Sequence, residues 1–164
     1  MNSEAALLAN TFQKVRDLTK WYFSLVKDAN PYHQWEVNGQ KLNSIAWLAA
    51  HLVWAEDFLI VRATGGKGLG LEWLEHYKLG SDGSLHEEKP DMKTLLSLLK
   101  KGHENATAHL LSLSNEKLEE ENAFGFGFGG VKTNRMMIQH CIRHEAMHTG
   151  HLSWLCKINS TESV

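Results

Sequence analysis

Cysteine and proline are scarce in this chain, with two of each among 164 residues. The cysteines are Cys141 and Cys156, and both fall in one predicted helix, about four turns apart. That separation rules out a disulfide between them. A reduced, cytoplasmic setting is therefore expected rather than a disulfide-stapled secreted one. The N-terminus has no basic start followed by an apolar run, so no signal peptide is expected. No uninterrupted apolar stretch is long enough to span a bilayer. Excess charge of one sign is also missing: 17 Lys+Arg stand against 19 Asp+Glu, a formal net charge of -2. That balance argues against a nucleic-acid or membrane-surface partner. Strand-like alternation is almost absent, apart from a Phe-Gly run at 124–130 that pairs weakly at best.

What remains is an ordinary globular composition, 43% hydrophobic and 22% charged. The length suits a single domain over 1–164. The outliers are ten histidines and, more mildly, six tryptophans.

Four amphipathic segments follow one another. Residues 3–27 carry Leu8, Phe12, Val15, Leu18, Tyr22 and Leu25 at three- and four-residue steps, and Asn30-Pro31 closes them. Asn38-Gly39 marks a turn. Asn43 or Ser44 caps a second helix of about twenty residues, with a stripe of Ile45, Leu48, Leu52, Ala55, Phe58 and Leu59, and Gly65-Gly66 stops it. A Gly-rich connection runs from Gly65 to Pro90, with a short helical turn expected around Trp73 to Tyr77. Asp91 caps a third helix whose face is Leu95, Leu96, Leu99, His103, Ala106, Leu110 and Leu113, and Ser114-Asn115 ends it. Thr133 caps a fourth, running to about Lys157, and the polar tail from Asn159 is expected to fray. The expectation is an all-α four-helix bundle with long irregular connections between helices 2 and 3 and between helices 3 and 4.

The chemistry concentrates in Arg143-His144-Glu145-Ala146-Met147-His148-Thr149-Gly150-His151. On a helix, His144 and His148 stack on one face, near the middle of the stripe Met137, Cys141, His144, His148, Leu152 and Leu155. Burying imidazoles in a core is costly unless each finds a partner. One shared divalent metal satisfies both, and hydrogen bonds to core polar groups are the alternative. His51 lies on the core stripe of helix 2 between Trp47 and Trp54, and facing helices of a bundle build metal sites in their common interior. His51, His144 and His148 would make a three-His site with positions open for water or substrate.

Other readings share these residues. His144-Glu145-Ala146-Met147-His148 matches HExxH, the zinc-protease motif, but the extended form of that motif fails because His151 comes too early. Glu145-Ala146-Met147-His148 matches the di-iron Glu-x-x-His motif, which has no second copy here. The run Gly65 to Gly70 lacks the Gly-Lys-Ser/Thr ending of a phosphate loop. On the helical wheel Glu145 lies to the side of the histidine pair, so it is expected at the surface, with acid-base or ligand-supporting work as the alternative. His140 and His151 are expected at a partly exposed rim, as supporting groups or substrate contacts if they act at all. His103 and His109 are expected at the surface or core edge, and His33, His76 and His86 fall in loops. Trp47, Trp54 and Phe124 to Phe128 are candidate pocket walls.

Ser44-Ile45-Ala46-Trp47-Leu48-Ala49-Ala50-His51, together with His144 to His151, resembles the DinB-like superfamily of four-helix metalloproteins. The resemblance implies ligands at His51, His144 and His148 and a bound zinc, nickel or iron ion. It departs at His151, where Gln is common. It also implies a soluble protein, often a homodimer, acting on a small-molecule substrate. Known activities of the family include thiol-dependent S-transferases that use low-molecular-weight thiols, and a thiol-dependent isomerase. A metal-dependent transferase or hydrolase-like enzyme is the reading that follows, with no catalytic residue assigned. The alternative is a non-catalytic metal-binding or stress-response interaction module.

Overall fold

The structure, a computed structural model, describes residues 3–84 and 87–159. His86 and the tail from residue 160 lie outside these residues. Four long helices form the body: α1 (Glu4–Leu25), α2 (Ile45–Glu56), α3 (Met92–Leu111) and α5 (Asn134–Ile158). A short α4 (Asn115–Glu119) precedes α5. Ser3, Ser44, Asp91, Ser114 and Thr133 each cap a helix by accepting a hydrogen bond from a backbone N–H three residues on. Ser114, expected to end helix 3, thus also begins a new turn. Beyond Glu56, α2 widens into a π-helical turn over Asp57–Arg62. Asn38 and Gly39, both at positive φ, turn a two-residue hairpin, β1 (Glu36–Val37) against β2 (Gln40–Lys41). No helix among the described residues is long and apolar enough to cross a membrane.

The pairings show the direction of each helix. Arg16 meets Glu145 and Tyr22 meets Cys156, so α1 and α5 run parallel. Glu56 is level with Gly102 and Gly66 with His109, so α2 and α3 also run parallel. His51 meets His144 while Ala55 meets Cys141, so the two pairs oppose each other. A parallel step from α2 to α3 must carry the chain back along the whole bundle, which explains the long connection after residue 62. Part of that connection is a 3-10 helix, Glu72–Tyr77, where the short helical turn was expected.

The core consists of two apolar clusters. One holds Phe23, Leu48, Leu52, Leu95, Leu99 and Leu152; the other holds Phe12, Leu59, Ile60, Leu110, Met137 and Ile138. Along each long helix a buried polar residue lies between them: Arg16 and Thr19 on α1, Glu56 on α2, His103 on α3, Glu145 and Thr149 on α5. This polar layer rotates the helices from their expected stripes. The buried face of α1 is Ala5, Ala9, Phe12, Arg16, Thr19 and Phe23, and Leu18 is half exposed.

Candidate metal centre

His51, His144 and His148 come together at the edge of the polar layer. His51 Nε2 is 3.2 Å from His144 Nε2, which is 3.1 Å from His148 Nε2. Three imidazole nitrogens bound tetrahedrally to a zinc-sized ion, at bonds of about 2.0 Å, would stand about 3.3 Å apart.

The outer nitrogens explain how the inner ones are presented. His51 Nδ1 is 2.6 Å from the Tyr77 carbonyl, which can only accept. The proton of a neutral His51 is therefore on Nδ1, and its Nε2 faces the cluster as a lone pair. The rings of Trp47 and Trp54 stack beside it at 4.3 and 5.6 Å. His148 Nδ1 is 3.1 Å from His151 Nδ1, so His151 is positioned to accept the proton that frees His148 Nε2. His144 Nδ1 is buried with no hydrogen-bond partner among the described residues. If all three rings were simply hydrogen-bonded to one another, a single proton on His144 Nε2 would bridge one of its two contacts and leave the other without a hydrogen bond. One cation shared by three lone pairs removes that shortfall, so the donor set fits a divalent metal.

Burial, the largest cause in each case, lowers all three imidazoles, His51 to about 4, His144 to about 3 and His148 to about 2. At neutral pH they are uncharged and free to ligate.

The cluster borders a cavity of about 1220 Å³ whose walls include Trp47, Trp54, Phe58, Phe126, Phe128 and His140. Trp54, Phe58 and Phe124 form a stack of nearly parallel rings, with planes 10° and 5° apart. The step from α3 to α5 joins antiparallel helices and needs only a few residues. The much longer segment used instead brings the Phe-Gly run to this wall. Gly127 is required there, because a Cβ would fall 1.9 Å from the Val131 carbonyl oxygen. The Gly65 to Gly70 run is a packing device: Gly66 lies against the His109 ring and Gly68 against Asp57 and Arg62.

Glu145 corrects the sequence expectation. It is not at the surface but 2 % exposed. Arg16 Nε donates to its Oε1 at 2.6 Å and Arg16 Nη2 to its Oε2 at 2.8 Å, and the Thr19 hydroxyl donates to Oε1. It points into the polar layer, away from the histidine pair, so the HExxH glutamate cannot serve as a zinc-protease base. His144, expected mid-face, is instead at the cavity side of α5, and Glu145 occupies the interior beside it. His103, expected at the surface or core edge, is 7 % exposed in the polar layer, where its Nε2 pairs with Gln13. His140 is half-buried in the cavity wall, stacked on Phe128.

A family model, that of the DinB superfamily, matches residues 11–152. The chain belongs to the DinB superfamily. All three clustered histidines and His151 lie inside the matched span of this DinB chain. No curated protein sequence matches it.

Sequence reasoning missed three parts of the DinB site. The Tyr77 carbonyl is a backbone group and has no residue-type signal. Phe58 was placed on a core stripe, although its ring joins the wall. The Arg16–Glu56–Glu145 network was hidden because each residue, taken alone, looks like a surface charge.

Proposed function

We propose that this DinB-superfamily chain is a metal-dependent enzyme whose divalent ion, zinc, nickel or iron, is held by His51, His144 and His148. We infer a thiol-dependent S-transfer reaction on a small, largely apolar electrophile. The observation that carries this reading is the convergence of three inward-facing Nε2 atoms at the edge of an open, aromatic-walled cavity. An ion bound by three neutral imidazoles keeps its full charge and lowers the pKa of a water or thiol bound to it.

The chain's own groups narrow the chemistry. Glu145 is bound to Arg16, so the glutamate a hydrolase of the HExxH type would use is unavailable. Thiol transfer needs no such base, because a thiol held by the ion would be acidic enough to release its proton to solvent. The thiol must come from outside: Cys141 and Cys156 are buried, and burial pushes the Cys141 thiol well above its ordinary value. Trp47 and Trp54 hold the His51 ring, Tyr77 fixes its tautomer, and the phenylalanine wall offers an apolar surface to the electrophile.

The test begins with metal content by mass spectrometry on untagged, chelator-free protein beside His51→Ala. One ion per chain in the parent and none in the variant is expected. The loaded protein is then assayed for consumption of low-molecular-weight thiols with an aryl halide as electrophile. No metal after reloading overturns the reading. Stoichiometric metal without thiol binding or consumption supports the non-catalytic metal-binding module instead.

A further inference from the structure

His140 stands in the cavity wall apart from the three clustered histidines, and its proton is placed by Arg143. Its Nδ1 lies 3.1 Å from Arg143 Nε and 2.8 Å from Arg143 Nη2. A guanidinium donates and never accepts, so His140 Nδ1 is the acceptor and a neutral ring carries its proton on Nε2. Phe128 stacks on the ring at 3.4 Å, with planes 13° apart. The Arg143 guanidinium also lies 5.6 Å from the Phe128 ring centre, so cation, imidazole and loop hold one another. The His140 ring lines the same cavity as the cluster, its centre 5.8 Å from that of His144. Trp54, Phe58, Phe126 and Phe128 give the same cavity an aromatic, apolar wall.

We propose that the Nε2–H of His140 is the cavity's hydrogen-bond donor to substrate, and that the substrate is an apolar molecule carrying a carbonyl or anionic oxygen. The inference rests on the metal-enzyme reading above and names the substrate class of that site. The apolar body lies against the aromatic wall, and its oxygen is directed towards His140 and the three histidines. His140 polarises that oxygen by hydrogen bonding and transfers no proton. Losing the Nε2 proton would leave an imidazolate, and gaining one at Nδ1 would require displacing Arg143. A neutral donor of this kind adds no positive charge beside the three-His cluster.

The test has two arms. Long-range proton–nitrogen NMR on histidine-labelled protein, with and without zinc, reads the tautomer, and His140→Gln assigns the signal. The Nε2–H form is expected, and Arg143→Gln is expected to populate the Nδ1–H form. Benzohydroxamate, a flat aromatic with a carbonyl and an anionic oxygen, is then titrated into zinc-loaded protein. His140→Ala is expected to weaken its binding about tenfold at unchanged zinc stoichiometry. His140→Gln keeps an N–H near the Nε2 position and is expected to recover most of that loss. An Nδ1–H tautomer in the parent, or unchanged affinity in a fully loaded His140→Ala, overturns the proposal. So does a loss that glutamine fails to recover, which would mean packing alone. Failure of the parent to bind zinc, nickel or iron overturns the metal reading and this inference together. Normal zinc binding with no His140 effect overturns only this inference.

Discussion

His144 and Glu145 are consecutive residues of α5, yet they serve two polar clusters of opposite character. Glu145 belongs to a closed network in which each of the three Arg16 guanidinium nitrogens has an acceptor: Glu145, Glu56 or the Leu99 carbonyl. His144 belongs to a cluster whose inner nitrogens face one another and whose side opens on a cavity. About 100° of helical rotation separates the two side chains, enough to send one into the bundle centre and the other to its edge. The closed network joins α1, α2, α3 and α5 at mid-height, and the open one joins α2 to α5 where a substrate has access. Polar groups in a core therefore mean different things according to whether they satisfy each other. The first cluster is a fastening, and the second turns three ring nitrogens to one point where they could hold a shared metal ion.

The comparison breaks most decisively at Arg16. Arg16→Met leaves Glu145 buried without its cation and is expected to cost about 3–5 kcal/mol in urea unfolding. His144→Ala in metal-free protein is expected to cost less than about 1 kcal/mol, because it also removes a buried ring nitrogen that has no partner among the described residues. Equal losses would erase the distinction between the clusters. Next in size is the response to metal. Zinc at about a thousandfold excess over Kd is expected to stabilise the parent by about 4 kcal/mol, reversibly with chelator, and to leave His144→Ala unmoved. A comparable shift in that variant would place the ion elsewhere.

The open cluster was legible in the sequence and the closed one was not. A His-x-x-x-His pair on a helix, with one more histidine on a facing stripe, announces itself by residue type and spacing. The helix order, caps and long connections were likewise readable from periodicity and from Asn30-Pro31, Gly65-Gly66 and Asp91. Arg16, Glu56 and Glu145 carry no such mark, because each belongs to a residue type normally found outside. Their burial depends on meeting one another from helices far apart in sequence. It also depends on Gly102, where a Cβ would fall 2.3 Å from Glu56 Oε1. Counting only apolar residues turned the α1 stripe towards Leu18 and put Glu145 at the surface. The Tyr77 carbonyl and the π-helical turn after Glu56 are backbone features and could not be read from side-chain pattern.

A smaller effect separates ligands from their supports. His151→Leu is expected to weaken metal affinity about 10–100-fold by removing the acceptor for His148 Nδ1–H, without abolishing binding. His151→Gln offers a side-chain carbonyl at a similar reach and is expected to retain most of the affinity. Competitive zinc titration checks both, and an unaffected His151→Leu would reduce His151 to the exposed rim residue it resembles in the sequence.

The smallest change in mildly acidic solution is expected from Glu56→Gln, and it tests how the closed cluster balances its charge. Two carboxylates share one guanidinium, and burial, partly offset by Arg16, raises Glu56 to about 8. Glu56 Oε1 also has no hydrogen-bond partner among the described residues, which costs less for a neutral carboxyl than for a carboxylate. The folded value lies above the ordinary 4.5, so this group's contribution is fully present below about pH 4.5. It declines as pH rises towards 8, where the unfolded chain has already released the proton that the fold still holds. The buried histidines act in the opposite sense: held low in the fold, they make stability rise with pH up to their ordinary 6.5. The metal-free parent should therefore be most stable in between and lose stability from about pH 6.5 to 8, while Glu56→Gln stays level over that range. Urea midpoints measured across these pH values distinguish the two. A parent with no decline there would mean that Glu56 is ionised in the fold, and that Arg16 balances two full negative charges rather than one.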